Sequence, residues 1–296
     1  MQLLEGPQDV VAVVSQPDRP RGRGRRLSPS RVAARALEAG VALLRPERVG
    51  APEVEAALLA LEPDIGVVVA FGQFLPKRIR ELPRLGYLIN AHASLLPKLR
   101  GAAPIVRAIL AGESESGISV MQVQKEMDAG PVALVKRTPI GEDEDAGSLE
   151  TRLSRLAAEA IAEALDLITS GGIVFTPQDE TGVSVAPKLE RQEAQLDFSE
   201  PAEGLVRQVR AFAPRPGAFT QLEGEPLRIL AARAVAGAAG EAPGSVRLDA
   251  DGRGLRIATG AGWLVPLVLQ RAGGRPLDAA EFLRGARLSD GILLRT

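Results

Sequence analysis

The sequence has no cysteine, a single histidine, five lysines (77, 98, 125, 136 and 188) and no long apolar run. Without cysteine there is no disulfide scaffold, no thiolate metal site and no sulfur nucleophile, and a cytoplasmic setting is the default expectation. A lone histidine leaves a metal with almost only oxygen ligands, so no metal site is expected. Uninterrupted apolar stretches are short, as in Val67–Phe71, and fall well below the ~18–20 residues of a membrane-crossing helix. The first residues, Met1-Gln2-Leu3-Leu4-Glu5, carry no basic region, so no export or transit peptide is visible.

A net charge of −1 provides no overall field to attract a polyanion, so a nucleic-acid partner would have to be met by a local patch. One such patch is present. Residues 18–26 place five arginines against one aspartate, a local charge of +4. With 45% hydrophobic and 25% charged residues, the composition is that of a packed globular protein. A chain of 296 residues exceeds what one core usually organises, so two domains are expected.

Apolar β-branched runs at Asp9–Ser15, Val41–Leu44, Ile65–Phe71 and Leu85–Ala91 alternate with helical patterns. That alternation predicts an α/β fold with a Rossmann-like, mostly parallel sheet. Helices are expected over 29–39, capped by Ser28 with Pro29 at the first position and Gly40 at the end, and over 52–61, 104–111 and 148–169. The last carries Leu153, Leu156, Ala160, Ile161, Leu165 and Ile168 on one face and would close a first domain at residue 170. Residues 171–187 read as a linker. Linker-like composition persists to about residue 200 within a second domain taken as 188–296, and beyond it the pattern is β-rich: strands at 217–222, 226–235, 244–249, 253–259 and 262–270, turns at Glu223-Gly224 and Asp251-Gly252, and a helix at 278–286 capped by Asp278. Five strands suggest a small OB-like barrel.

The segment Leu88 to Pro97 begins as a buried strand and ends in a loop. Asn90, His92 and Ser94 alternate, so in extended geometry an amide, an imidazole and a hydroxyl would share one side at a strand's C-terminal end, where open parallel sheets bind ligands. Taken alone, a single histidine is more often structural than catalytic. Downstream, Glu126-Met127-Asp128-Ala129-Gly130 could supply a carboxylate partner, although Asp-Ala-Gly is also ordinary turn chemistry.

Asn90-Ala91-His92, Ser94-Leu95-Leu96-Pro97, Arg100-Gly101-Ala102-Ala103-Pro104 and Met127-Asp128-Ala129-Gly130 together resemble the methionyl-tRNA formyltransferase family. The resemblance extends to Gln16-Pro17-Asp18-Arg19-Pro20-Arg21-Gly22-Arg23-Gly24, similar to that family's tRNA-contacting loop, and to Val67–Gly72 with Leu75-Pro76, similar to its folate-pocket strand and loop. Lys188-Leu189 through Asp197-Phe198, then Arg210-Ala211-Phe212, resembles the opening of its C-terminal domain. It implies transfer of a formyl group from 10-formyl-tetrahydrofolate to the amino group of initiator methionyl-tRNA, in support of translation initiation. It implies Asn90, His92 and Asp128 as the catalytic trio and Ser94, Leu95, Leu96 and Pro97 as part of the folate site. Arg19, Arg21 and Arg23 would contact tRNA, and residues 188–296 would form a tRNA-binding domain. A monomer is expected, with no DNA or membrane partner.

The arginine-rich stretch has three readings: a solvated loop, a disordered arm or a clamp on tRNA phosphates. The resemblance favours the clamp. A dinucleotide fingerprint at Gly22-Arg23-Gly24 fails because Pro17 and Pro20 precede it, no glycine stands at 27 and no helix opens directly. The family's first strand and a Gly-Thr-Pro-Asp-Phe turn, which precede the counterpart of Leu3–Val10, have no equivalent here. A start assigned too late or a truncated chain is the expectation, and loss of a mid-sheet strand should leave its neighbours unpaired. Rival functions are formyl transfer to glycinamide ribonucleotide, to an amino-sugar nucleotide or to water, and a non-catalytic RNA-binding module. The basic loop and the 13 arginines against 9 acids in residues 201–296 favour a polyanionic substrate.

Overall fold

The computed structural model describes every residue except 1, 22–25, 238, 239, 251, 287, 289, 295 and 296. Two compact units interleave along the chain. One comprises Met1–Arg100, Gly117–Arg137 and Leu153–Val185; the other comprises Gly101–Ser116, Thr138–Arg152 and Ala186–Thr296.

The first unit is α/β, as the alternating pattern predicts. Strand Val13–Val14 pairs in parallel with Leu43–Leu44, through the crossover helix Arg31–Glu38. Gly66–Val68 pairs in parallel with Leu88–His92, which continues into Glu115–Gln122 and Val132–Pro139. The contact with Glu115–Gln122 is antiparallel, a departure from the mostly parallel expectation. The strands at 115–122 and 132–139 were not anticipated, because the former is buried along nearly its whole length and shows no alternation.

Among the described residues no ladder joins Val13–Val14 to Gly66–Val68. The strands of this unit therefore lie in two separate ladders, the pair Val13–Val14 with Leu43–Leu44 and the four-stranded sheet that contains Gly66–Val68. Val13–Val14 and Gly66–Val68 are half-buried, whereas Leu88–His92, with neighbours on both sides, is buried at four of five positions. Beyond the ends of Val13–Val14 and Gly66–Val68, Gln16 Nε2 donates to the Phe71 carbonyl at 2.7 Å. Val14 and Phe71 also pack against a common cluster of Val49, Val54 and Ile79.

Helix boundaries follow from local chemistry. Ser30, and not Ser28, caps Arg31–Glu38, its hydroxyl accepting from the Ala33 N–H. Pro29 therefore precedes the cap instead of opening the helix. Gly40 ends the turn at φ +68°, a conformation that costs glycine little. Ala146–Thr169 buries Leu153, Ala160, Ile161 and Leu165 on one face.

The second unit holds the continuous antiparallel sheet Ala218–Leu222, Glu225–Val235, Trp263–Arg271, Leu255–Ala258, Val246–Leu248, in that spatial order, with Leu277–Asp278 added to Trp263–Arg271. The five expected strands are all present. Among the described residues no ladder closes the first strand onto the last, so the sheet is open in its hydrogen bonding. Glu223-Gly224 makes the two-residue turn with φ of 54° and 83°, as the right-handed twist of a hairpin requires. Of the Asp251-Gly252 turn, Asp251 lies outside the described residues. Asp278 caps Ala279–Gly285 by accepting from the Glu281 N–H at 2.7 Å.

A helix at Ala202–Phe212 replaces part of the region read as β-rich. Its buried Ala202, Leu205, Val209 and Phe212 recur at helical spacing. It packs on Glu225–Val235 and on Pro104–Ala111. Burying each such large side chain stabilises by about 1.5–3 kcal/mol.

Candidate active site

His92 ends the strand Leu88–His92, buried at four of five positions, and is 6% exposed. Its Nδ1 lies 3.5 Å from Asp128 Oδ2, and its Nε2 lies 2.9 Å from the Leu99 carbonyl oxygen. Each ring nitrogen thus faces an oxygen acceptor. A neutral imidazole can donate at only one of them, whereas a ring carrying both protons can donate at both. The 3.5 Å separation is longer than a good hydrogen bond, and such contacts commonly tighten when substrate arrives.

Asn90 stands two residues earlier on the same strand and is half-buried. Its Cα lies opposite Val68 on one side and Met121 on the other. Asn90 and His92 share one side of the sheet by alternation. Ser94 does not join them at the site's face. The strand has ended, and the Ser94 hydroxyl, 1% exposed, donates to the Lys98 carbonyl at 2.6 Å. Ser119, wholly buried, then fixes the loop, its hydroxyl donating to the Ser94 carbonyl at 2.8 Å and accepting from the Leu96 N–H at 3.1 Å. Leu95 packs over Gly117, where a Cβ would fall 2.5 Å from its side chain. Leu96 and Pro97 line a cavity of about 320 Å³ together with Val132–Val135 and Thr176–Asp179.

Asp128 takes φ +52°, in the left-handed region that aspartate tolerates better than most residues. Gly130 follows where a Cβ would sit 1.8 Å from the Gln122 carbonyl oxygen, so only glycine fits against the end of Glu115–Gln122. Gln178 Nε2 donates to the carbonyls of Asp128 and Gly130 at 2.8 and 2.7 Å. Buried Arg100 holds Gln178 and Glu180 in turn. Hydrogen bonding to Arg100 is the main reason that the Glu180 carboxyl sits below its usual range. Burial pushes the Tyr87 hydroxyl pKa up, and the Tyr87 and Phe175 rings meet edge to face with centroids 5.5 Å apart.

Sequence reasoning missed Gln178, Ser184 and Ser119. The first two lie in the stretch expected as a linker, and no local pattern marks any of them. Arg100 was noted only as part of a motif.

Arg19 and Arg21 lie in a short strand, Arg19–Arg21, paired antiparallel with Arg26–Ser28. Exposed Arg19 donates to Gln16 Oε1 at 3.3 Å. Arg23 lies outside the described residues. In the second unit Arg247 and Arg256 stand directly opposite one another, each over the Trp263 ring at 5.8 and 5.4 Å. Among the described residues no cluster of three His, Cys, Asp or Glu could hold a metal, and no helix is long and apolar enough to cross a membrane.

Residues 1–165 match the formyl transferase family, and residues 188–287 match the formyl transferase C-terminal domain. A curated methionyl-tRNA formyltransferase from Halorhodospira halophila is 48% identical over 289 residues, 98% of this chain and 92% of that protein. One from Chromohalobacter salexigens is 46% identical over 301 residues, 99% of this chain and 92% of that protein. Among solved structures, an N-formyltransferase from Helicobacter canadensis, in complex with folinic acid and dTDP-3-aminofucose, superposes with a TM-score of 0.65 at 14% identity, covering 91% of this chain and 93% of that one. HypX from Aquifex aeolicus, in complex with tetrahydrofolic acid, superposes with a TM-score of 0.62 at 19% identity, covering 90% of this chain and 48% of its own. Both structural matches concern the fold.

Proposed function

The chain belongs to the methionyl-tRNA formyltransferase family, and on that premise we propose that Asn90, His92 and Asp128 carry formyl transfer from 10-formyl-tetrahydrofolate to the amino group of initiator methionyl-tRNA. The observation that carries the assignment is the approach of the His92 and Asp128 side chains at the end of a buried strand, with Asn90 on the same side. The methionyl nitrogen attacks the formyl carbon, and its carbonyl becomes a tetrahedral oxyanion. Asn90 donates to that oxygen, and the His92 Nε2–H turns to it from the Leu99 carbonyl while the Asp128 carboxylate orients the ring through Nδ1. Collapse breaks the bond to the folate N10, which takes a proton as the amine loses one. With donors already placed, no Lewis acid is required.

Leu96 and Pro97, with Ser94 and Leu95 shaping their loop, form part of the folate site. Arg19, Arg21 and Arg23 meet tRNA phosphates, and the arginine-rich residues 188–296 add to that contact. One chain acts alone, in the cytoplasm, on RNA and not on DNA.

The test is steady-state formylation of methionyl-tRNA by His92→Ala and Asp128→Asn. Each should lose about 10²–10³-fold in kcat, equivalent to ~2.7–4 kcal/mol for one stabilising donor. Near-normal turnover in either variant refutes the assignment. The Arg19→Ala and Arg23→Ala variants, in the same assay, should weaken use of methionyl-tRNA and leave folate binding unchanged. Preferential formylation of an amino-sugar nucleotide would instead place the chain with the rival substrates.

A further inference from the structure

The segment from Gln178 to Ser184 touches the peptides behind both His92 and Asp128. Gln178 Oε1 lies 3.0 and 2.8 Å from Arg100 Nε and Nη2. A guanidinium offers only donors, so the amide oxygen must face it and the NH2 must face away. That NH2 reaches the carbonyls of Asp128 and Gly130, at 2.8 and 2.7 Å, and spends both of its hydrogens there. The chemistry of the partners thus fixes the orientation of the amide.

The two carbonyls flank Ala129 and brace the turn in which Asp128 adopts φ +52°. Six residues further on, Ser184 supports the other member of the pair. Its hydroxyl accepts from the Leu99 N–H at 2.9 Å and its carbonyl accepts from the Arg100 N–H at 2.9 Å. Leu99 in turn presents the carbonyl that faces His92 Nε2. Arg100, 9% exposed, has its charge met by Glu180 at 2.9 and 3.4 Å. The network therefore connects the peptide behind His92 with the turn carrying Asp128.

We propose that Gln178 is a positioning residue for formyl transfer: its amide, oriented by Arg100 and Glu180, holds the Asp128–Gly130 turn so that the Asp128 carboxylate faces His92. The proposal deepens the assignment of His92 and Asp128 and rests on it. Removing the two donors frees a turn that the chain otherwise has reason to relax, since φ above zero is uncommon for a residue with a side chain. A shift of about 1 Å in a catalytic group can cost on the order of 10²-fold in rate without changing how substrates bind.

The experiment compares kcat, and KM for both substrates, in Gln178→Glu, Asp128→Asn and the double variant of the full chain. Gln178→Glu keeps the size of the side chain and gives Arg100 a carboxylate to hold. It replaces the NH2 by an oxygen that repels both carbonyls, so it tests positioning with the least risk to folding. Its kcat should fall about 10–100-fold with KM within about twofold, and adding it to Asp128→Asn should cause no further loss. Wild-type kcat in Gln178→Glu overturns the proposal. So does a loss confined to KM, or a loss repeated in full on the Asp128→Asn background, because independent lesions add. Normal turnover in Asp128→Asn would sink the underlying assignment, which the single Gln178 variant cannot do by itself. Gln178→Ala supplies the second variant, with the same expected non-additivity and without the introduced charge.

Discussion

The two sheets of this chain differ in how far each is held by its own near neighbours. In the second unit Glu225–Val235 and Trp263–Arg271 run eleven and nine residues and share a long ladder. Ala218–Leu222 reaches its partner through a two-residue turn. In the first unit the parallel pairs Val13–Val14 with Leu43–Leu44, and Gly66–Val68 with Leu88–Asn90, span two and three residues. An antiparallel hairpin closes over a short loop and pairs as it goes. A parallel pair must wait for a crossover helix and for cover on both faces. Within the first unit, His92 and Asn90 stand on Leu88–His92, which among the described residues is the parallel-paired strand with a neighbour on each side.

The largest expected difference is energetic. Ile229, fully buried opposite Leu269, should lose about 2–5 kcal/mol on replacement by alanine. Val67, half-buried opposite Ile89, should lose roughly 1 kcal/mol, because less apolar area returns to water. Guanidinium denaturation of Ile229→Ala and Val67→Ala measures both, and equal losses would mean that the two sheets are equally well supported.

A smaller effect concerns local opening. Amide exchange at Val13, Val14 and Val67 should run ahead of exchange at Ile257, Leu264 and Leu269, which are fully buried. Slower exchange in the parallel strands would mean that their short ladders carry no cost in local stability. Trp263, the only tryptophan, is 6% exposed in the second unit. Its fluorescence should therefore report a transition at higher denaturant than the amides of Val13 and Val67 do.

The smallest effect is acid dependence, which should touch both units alike. Hydrogen bonds from Arg107 hold the Glu193 carboxyl below its ordinary value of 4.5, as those from Arg100 do for Glu180. A lowered carboxylate adds stability that is present above its unfolded value and is lost as pH falls through the folded one. Stability should therefore decline modestly below about pH 4.5, the effect being limited by the exposure of these pairs. Glu193→Gln should flatten part of that decline in melting experiments. An unchanged acid limb in Glu193→Gln would remove Arg107–Glu193 from the account.

Much of the second unit was legible because hairpin turns and β-alternation are local. Each expected strand there agrees with the observed one to within a few residues, and Asp278 caps its helix as anticipated. The helix Ala202–Phe212 was missed although its apolar residues recur at helical spacing, because the surrounding segments read as strands. In the first unit, Ser30 captured the cap expected of Ser28 because the helix begins two residues later. The approach of His92 and Asp128 was legible only as a possibility, since Asn90, His92 and Asp128 are polar types at a predicted strand end and turn.

The sequence alone determined which side chains can do this chemistry: one imidazole, a carboxylate in a turn and an amide at alternating spacing, together with the family to which their neighbours belong. Tertiary structure decided what no spacing could express. It brought Asp128 to 3.5 Å from His92 across 36 positions of chain, took Ser94 into the hydrogen bonds of its own loop, and set Gln178 behind Asp128 from fifty residues away. Such contacts depend on donors and acceptors that meet only after the chain has folded, when each buried polar group must find a partner. A local pattern encodes periodicity and turns, and it carries no record of which distant carbonyl will need a hydrogen.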